Sequence, residues 1–267
     1  MPLTRSSSCI ASDGADPALA PDAVAFADPP TGGRVVMSWS GGKDSAMALY
    51  ELQRDPRFEV TGLLTTLSRE FRRVSHHGVR EELLDVQAAA LGLPLHKVFY
   101  PSPAGRDPAL VMAEFEQCLG DALAAVRSAG AFVVGHGDIF LSSVRVYRER
   151  RLASVGMRGV FPLWGLDTTR LLQRFTALGF RAVITCVEPV AAGLAGADLT
   201  SDLLAADWPA GVDPCGEHGE YHSFVHDGPI FRRPVPFIRG PTIVRQGRLY
   251  TDLTLPHCSE SPDAPVP

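Results

Sequence analysis

A short apolar run, Arg34-Val35-Val36-Met37, leads into Ser38-Trp39-Ser40-Gly41-Gly42-Lys43-Asp44-Ser45, and a helical stretch follows from Asp44 to Leu52. This strand–loop–helix order constrains the chain more than any other segment. The glycine pair allows a tight turn and lets the backbone approach a ligand closely. The N–H groups at the helix start point outward, and the positive end of the helix dipole adds to them, so the turn suits an anion. Ser40 and Ser45 add hydroxyl donors and Lys43 a full charge. Asp44 alone would repel a phosphate, a conflict that a bridging Mg²⁺ resolves. The spacing is neither that of a Walker A loop nor Gly-x-Gly-x-x-Gly. The plain alternative is a glycine-rich turn whose helix is capped by Asp44.

Strand-like and helix-like segments alternate beyond the loop. Phe58 to Thr66 reads as a strand, Arg80 to Leu91 as a helix stopping at Gly92, and His96 to Tyr100 as a third strand. Asp107 to Ala129 reads as an amphipathic helix with Asp107 as N-cap and Pro108 in the first turn. Ala131 to Val134 is a fourth strand, ending at Gly135. Such alternation predicts parallel strands joined by right-handed crossovers, an α/β fold. Arg145 to Val155 and Thr168 to Leu178 have helical character, the second capped by Asp167 or Thr168 and ended by Gly179. Phe180 to Val187 is a strand, and beyond Pro209 the chain is rich in Gly and Pro with short strands. The expected organisation is a flexible leader over 1–33, a nucleotide-binding domain over 34–140, an acceptor domain over 141–255 and a flexible tail over 256–267.

Ser-Gly-Gly-x-Asp-Ser in this setting resembles the PP-loop of the ATP pyrophosphatases, which split ATP between its α- and β-phosphates and adenylate a substrate oxygen. Three later segments narrow the likeness. One is Gly137-Asp138-Ile139, leading to Arg145 and Glu149. The second is Phe161-Pro162-Leu163-Trp164. The third is Cys215-Gly216-Glu217-His218-Gly219-Glu220-Tyr221-His222-Ser223-Phe224-Val225, followed by Asp227-Gly228-Pro229-Ile230-Phe231. Together they resemble the diphthine–ammonia ligase family, from Arg34 to Phe231. Those ligases carry a Tyr-Gln-Arg-x-Arg-Val-Glu run after Gly-Asp-Ile. Here Ser143 to Glu149 align with it, keeping Arg145 and Glu149 but placing Ser143 and Tyr147 where the family has Tyr and its second Arg. His218 likewise replaces a Gly of the third segment.

The resemblance implies a HUP-type, Rossmann-like parallel sheet that binds ATP, a smaller C-terminal α/β domain, and ATP with Mg²⁺ as cofactors. It implies adenylation of a carboxylate, on a small molecule or a protein, and amidation by ammonia. On that basis Ser40, Gly41, Gly42, Lys43 and Ser45 hold the departing pyrophosphate, with Ser38, Gly135 and Asp138 as further nucleotide contacts. Asp44 holds the metal. His77, Arg80, Arg145, Glu149, Gly216, Glu217, Tyr221 and His222 face the acceptor, and Glu217 and Glu220 orient the nucleophile or accept its proton, with Lys43 and Asp44 completing the catalytic set. Bland readings stand beside these. His77 and Asp138 would serve as helix-start residues, Arg145 and Glu149 as a solvated i, i+4 pair, and Trp164 as core. Glu217, His218, Glu220, His222 and His226 beside Cys215 also have the composition of a zinc site.

Composition sets the outer limits. The 267 residues carry 45% apolar and 21% charged side chains, within the globular norm. No apolar run reaches the roughly 18 residues of a membrane span. A formal charge of −5 argues against a broad nucleic-acid face. Five scattered cysteines without a Cys-x-x-Cys pair fit a reducing compartment, and Met1 to Ile10 lack a secretory apolar core, so a cytoplasmic location is expected. Arginine far outnumbers lysine, as in GC-rich bacterial coding. Two other functions stay open: a PP-loop enzyme acting on a tRNA base, and an ATP-binding sensor without chemistry. The acidic charge and missing cysteine pair count against thiolation, and the Ser-Gly-Gly-Lys-Asp-Ser loop counts against the sensor. A homodimer is compatible with two domains and their exposed edges.

Overall fold

The structure, a computed structural model, describes residues 33–101, 105–205 and 208–256. The expected leader and tail lie outside the described residues, apart from Gly33 and Pro256. The strands β1 (Gly33–Ser38), β2 (Phe58–Ser68), β3 (Leu95–Tyr100), β4 (Val133–Gly135) and β5 (Arg158–Val160) form a wholly parallel sheet in the order β3-β2-β1-β4-β5. The crossovers are α1 (Lys43–Arg54), α2 (Glu81–Leu91), α3 (Pro108–Ser128) and α4 (Ser142–Ser154). Period-two alternation along β1 sends Val35 and Met37 to the face packed by Leu49, Leu83 and Leu84. It sends Val36 to the opposite face, under Leu123, Val126 and Leu152 of α3 and α4. The helix punctuation is the expected one. Asp107 accepts from Ala109 N at 2.8 Å, and Gly92 ends α2 in the left-handed region at φ 69°. The short β5 was not legible, because three residues are too few for alternation to show.

Strand order locates the site. The chain winds from β1 to β3 in one direction and then returns to place β4 on the other side of β1. A ligand crevice opens outside the carboxyl ends of the strands at such a reversal. The Ser38–Lys43 loop leaves β1 there, and His136-Gly137-Asp138 leave β4.

The rest of the chain supplies α5 (Thr168–Ala177), β6 (Arg181–Val187), the one-turn α6 (Ser201–Ala205), β7 (Tyr221–Asp227), β8 (Ile238–Arg245) and β9 (Arg248–Thr254). Its four strands form an antiparallel sheet ordered β7-β6-β9-β8. Asp167 caps α5 by accepting from Arg170 N at 2.8 Å. One buried apolar cluster runs through both halves, from Met37, Trp39 and Leu84 to Phe175, Val183 and Phe224. Among the described residues no helix is long and apolar enough to cross a membrane.

Gln87 of α2, fully buried, joins the halves. Its Nε2 donates to the carbonyls of Gly41 (3.1 Å) and Val225 (2.6 Å), while its Oε1 accepts from Trp39 Nε1 at 3.0 Å. Gln87→Leu preserves volume but strands a buried indole N–H and removes a donor from two buried carbonyls. It is expected to lower the unfolding free energy by about 2–4 kcal/mol, read as a lower denaturant midpoint at unchanged m-value. An unmoved midpoint would contradict this role.

Candidate functional site

The loop after β1 packs too tightly for side chains at its glycines. Gly41 has φ +79°, and a Cβ there would lie 2.8 Å from Gln87 Oε1. A Cβ on Gly42 would lie 2.7 Å from His77 Cε1 and 3.1 Å from the Ser223 carbonyl. Gly42 is the N-cap of α1 and supplies no side-chain cap. Asp44 is therefore not the cap. It lies one residue inside the helix, where it pairs with Lys43 Nζ at 2.9 Å. Ser45 Oγ donates to the Gly42 carbonyl at 2.8 Å and lies 3.2 Å from Ser40 Oγ. Lys43 is buried. Its ammonium also donates to the Cys215 carbonyl and sits 4.8 Å from the Tyr221 ring centroid. Burial opposes the Lys43 charge, but Asp44, Tyr221 and Cys215 together outweigh it and hold the lysine protonated above its ordinary value. Burial raises Asp44, and Asp138 and Asp213 add to that, beyond what Lys43 offsets.

Strand β7 and the segment before it close the loop from the other side. Val225 N donates to the Gly41 carbonyl at 2.9 Å, and Lys43 N donates to Ser223 Oγ at 3.2 Å. Across from them, Gly137 is close against α1. A Cβ there would meet the Asp44 carbonyl carbon at 2.8 Å. Asp138 pairs with Arg148 Nε of α4 at 2.9 Å. Glu217 Oε1 accepts from Ile139 N (2.7 Å) and Phe140 N (3.2 Å), tying the two walls together, and burial raises its pKa. Together they enclose a cavity of about 210 Å³. A second cavity of about 260 Å³ adjoins it, more apolar, between β2, α3 and α4, with Leu64, Phe115, Leu119 and Leu152 on its walls.

Of the residues expected at the site, Ser38, Ser40, Lys43, Asp44, Ser45, His77, Asp138, Gly216, Glu217, Tyr221 and His222 line the first cavity. Gly41 and Gly42 shape the loop from within the packing. Others lie apart. Gly135 is inside β4, where a Cβ would be 2.5 Å from Leu52 Cδ1. Arg80 pairs with Asp252 of β9 at 2.7 Å, and Arg73 joins them at 2.9 Å. Arg145 pairs with Glu149 at 2.8 Å, its guanidinium 4.8 Å from the Phe161 centroid and 4.6 Å from that of Trp164. Trp164 is thus half-buried beneath a cation, and Leu163 takes the core position. Glu220 turns away from the cavity, accepting from Asp213 N at 2.9 Å, while its other carboxylate oxygen is buried without a partner.

The zinc composition disperses in three dimensions. Glu217 is taken by the Ile139–Phe140 amides, His218 packs on Phe140, and His226 packs on Phe237. No group of three or more His, Cys, Asp or Glu among the described residues is placed to hold a metal. Sequence reasoning missed His136, Arg148 and Ser223, all on the cavity. His136 directly follows a strand end and Arg148 is one turn beyond Arg145, so a helical-face argument would have reached the arginine. Ser223 carries no signal of its own.

A glycine-led helix N-terminus at the switch point of a parallel sheet, with a lysine and serines around it and a second half closing over it, defines a PP-loop α/β nucleotide-binding enzyme. The model of the diphthamide synthase N-terminal domain matches residues 33–107, and that of the diphthamide synthase C-terminal domain matches 167–240. A diphthine–ammonia ligase of Mus musculus is 26% identical over 230 residues, covering 76% of this chain and 82% of its own length. One from Danio rerio is 25% identical over 235 residues, covering 79% and 89%. One from Schizosaccharomyces pombe is 27% identical over 107 residues, 38% of this chain and only 18% of its own length. The two models together span more than half of the chain, which belongs to the diphthine–ammonia ligase family.

Three neutral imidazoles face the site. Burial lowers His77 from 6.5 to about 4, and lowers His136 and His222 well below their ordinary value. Between those two pH values the unfolded chain binds protons that the folded histidines refuse, so their contribution to stability falls as pH falls and is constant above 6.5. Raised Asp44 and Glu217 act in the opposite sense over part of that range. A His77→Asn/His222→Asn variant is therefore expected to lose less Tm than the parent between about pH 7 and pH 5. Equal losses would show that these histidines titrate normally.

Proposed function

We propose that the chain is an ATP-dependent ligase that adenylates a substrate carboxylate, releasing pyrophosphate, and then forms an amide with ammonia. The observation that carries this reading is the start of α1, where Gly42 supplies no side-chain cap, with buried, protonated Lys43 beside it, facing a polar cavity that opens into a more apolar one. The polar cavity suits the β- and γ-phosphates, held by the loop amides, Ser40, Ser45 and Lys43. The apolar one suits adenosine, placed against Leu64, Phe115 and Leu152. These donors are fixed before the reaction, so they stabilise charge on the leaving pyrophosphate without reorganising.

Asp44 and Asp138 offer hard carboxylate oxygens on the cavity wall, and Asp138 makes the Asp44 charge costlier. A divalent cation relieves that repulsion, and Mg²⁺ binds through one or two carboxylates together with phosphate oxygens and water, so the pair fits Mg²⁺. Bound there, it would neutralise phosphate charge. A carboxylate oxygen of the acceptor attacks the α-phosphorus and the bond to the β-phosphate breaks. Ammonia then attacks the acyl carbon and AMP leaves. Glu217, its pKa raised by burial, is the side chain on this cavity suited to take the proton that the nitrogen loses. Glu220 holds the 213–220 loop instead. The acceptor is a small molecule or a protein bearing the carboxylate.

Purified protein given Mg-ATP, ammonium and a fractionated extract is expected to form AMP and pyrophosphate. Formation of ADP and phosphate would refute the mechanism. Lys43→Ala is expected to lower kcat/KM for ATP by about 10²–10³-fold, and an unaffected value would do the same.

A further inference from the structure

The two cavities meet, and six residues line both: Ser38, Ser40, His77, His136, Arg148 and His222. If pyrophosphate occupies the first cavity and adenosine the second, as the proposed function has it, the connectivity of ATP places the α-phosphoryl group at that junction. The inference rests on that reading. Arg148 carries the only fixed positive charge of the six. It meets Asp138 through Nε, which leaves the two terminal nitrogens of the guanidinium without a protein partner among the described residues. His136 stands beside it, stacked on Phe161 with ring centroids 5.2 Å apart. Both His136 ring nitrogens are buried without a partner, and it is 6% exposed. A buried polar group left unpaired in a cavity wall calls for a ligand atom.

Tyr147 lines the second cavity only, and its hydroxyl donates to Glu116 Oε1 at 3.4 Å. We propose that Arg148, with His136 beside it, is the recognition element for the α-phosphoryl group. Asp138 aims the guanidinium through Nε, and the terminal nitrogens take the non-bridging oxygens as a fork. As the acceptor oxygen bonds to phosphorus and the electron pair of the breaking bond leaves with pyrophosphate, Arg148 keeps its protons and balances the charge on those oxygens.

The test is calorimetric titration of the full chain with adenosine, AMP and ATP in the presence of a chelator, so that no acceptor or metal is required. Arg148→Met is expected to leave adenosine affinity within about 2-fold and to weaken AMP by about 10–100-fold. Arg148→Lys is expected to recover part of the loss, and it decides the matter should Arg148→Met fail to fold. His136→Asn should weaken AMP by about 5-fold. Lys43→Ala should weaken ATP while sparing AMP. Equal weakening of adenosine and AMP by Arg148→Met would reduce the arginine to a structural role, and unchanged AMP affinity would overturn the inference alone. Failure of the parent protein to bind ATP in a companion titration with magnesium would overturn the proposed function along with it.

Discussion

The carbonyl of Gly41 is held from both halves of the molecule. It accepts from Val225 N of the antiparallel sheet and from the buried amide of Gln87 on α2. That shared acceptor fixes the turn that must present N–H groups to an anion. Everything else at the site is arranged around a loop already immobilised by its second neighbour. Lys43 N has the Ser223 hydroxyl, Gly42 has the His77 ring and Ser223 carbonyl at contact distance, and Gly137 leaves room for the first turn of α1. Such a loop gives up little conformational freedom on binding, which is how rigid donors gain affinity.

The charges explain why the cavity favours a composite ligand over a simple anion. Asp44, Asp138 and Glu217 share one cavity with Lys43 and Arg148, and there Asp138 raises Asp44 and both raise Glu217. A phosphate alone meets three carboxylates. A cation alone meets a lysine and an arginine. A nucleotide carrying a divalent metal satisfies both sets at once, with the anion at the helix start and the metal toward the acids. The neutral histidines fit the same balance, since an imidazolium among Lys43 and Arg148 would add repulsion.

Much of this was legible in the chain. Local rules sufficed for β1, α1 and for α3 with its cap, because apolar spacing, Asp107-Pro108 and the Gly41-Gly42 pair act over a few residues. The phosphate loop was readable for the same reason. What escaped depends on distance along the chain. Strand β5 exists through its pairing with β4, and Arg80 was drawn off by Asp252, which lies 172 residues away. Glu217 and Glu220 look equivalent in sequence, three residues apart. The turn at Gly219 sends one to the Ile139 amide and the other to the Asp213 amide, and no local pattern encodes that split. The metal-like cluster failed likewise, since Glu217, His218 and Glu220 precede β7 and its two histidines, His222 and His226, stand about 13 Å apart along the strand.

The continuity of the buried cluster gives the seam between the two sheets a thermodynamic meaning. The bond from Lys43 N to Ser223 spans 180 residues of sequence, and the apolar groups beneath it belong to neither half alone. A ligand seated there grips the folded whole and finds no partial structure to bind. Its binding free energy is added in full to global stability, growing with the logarithm of its concentration. The chain then melts as a reporter of its own occupancy. A fragment cut anywhere between the halves would forfeit the pocket and the core together.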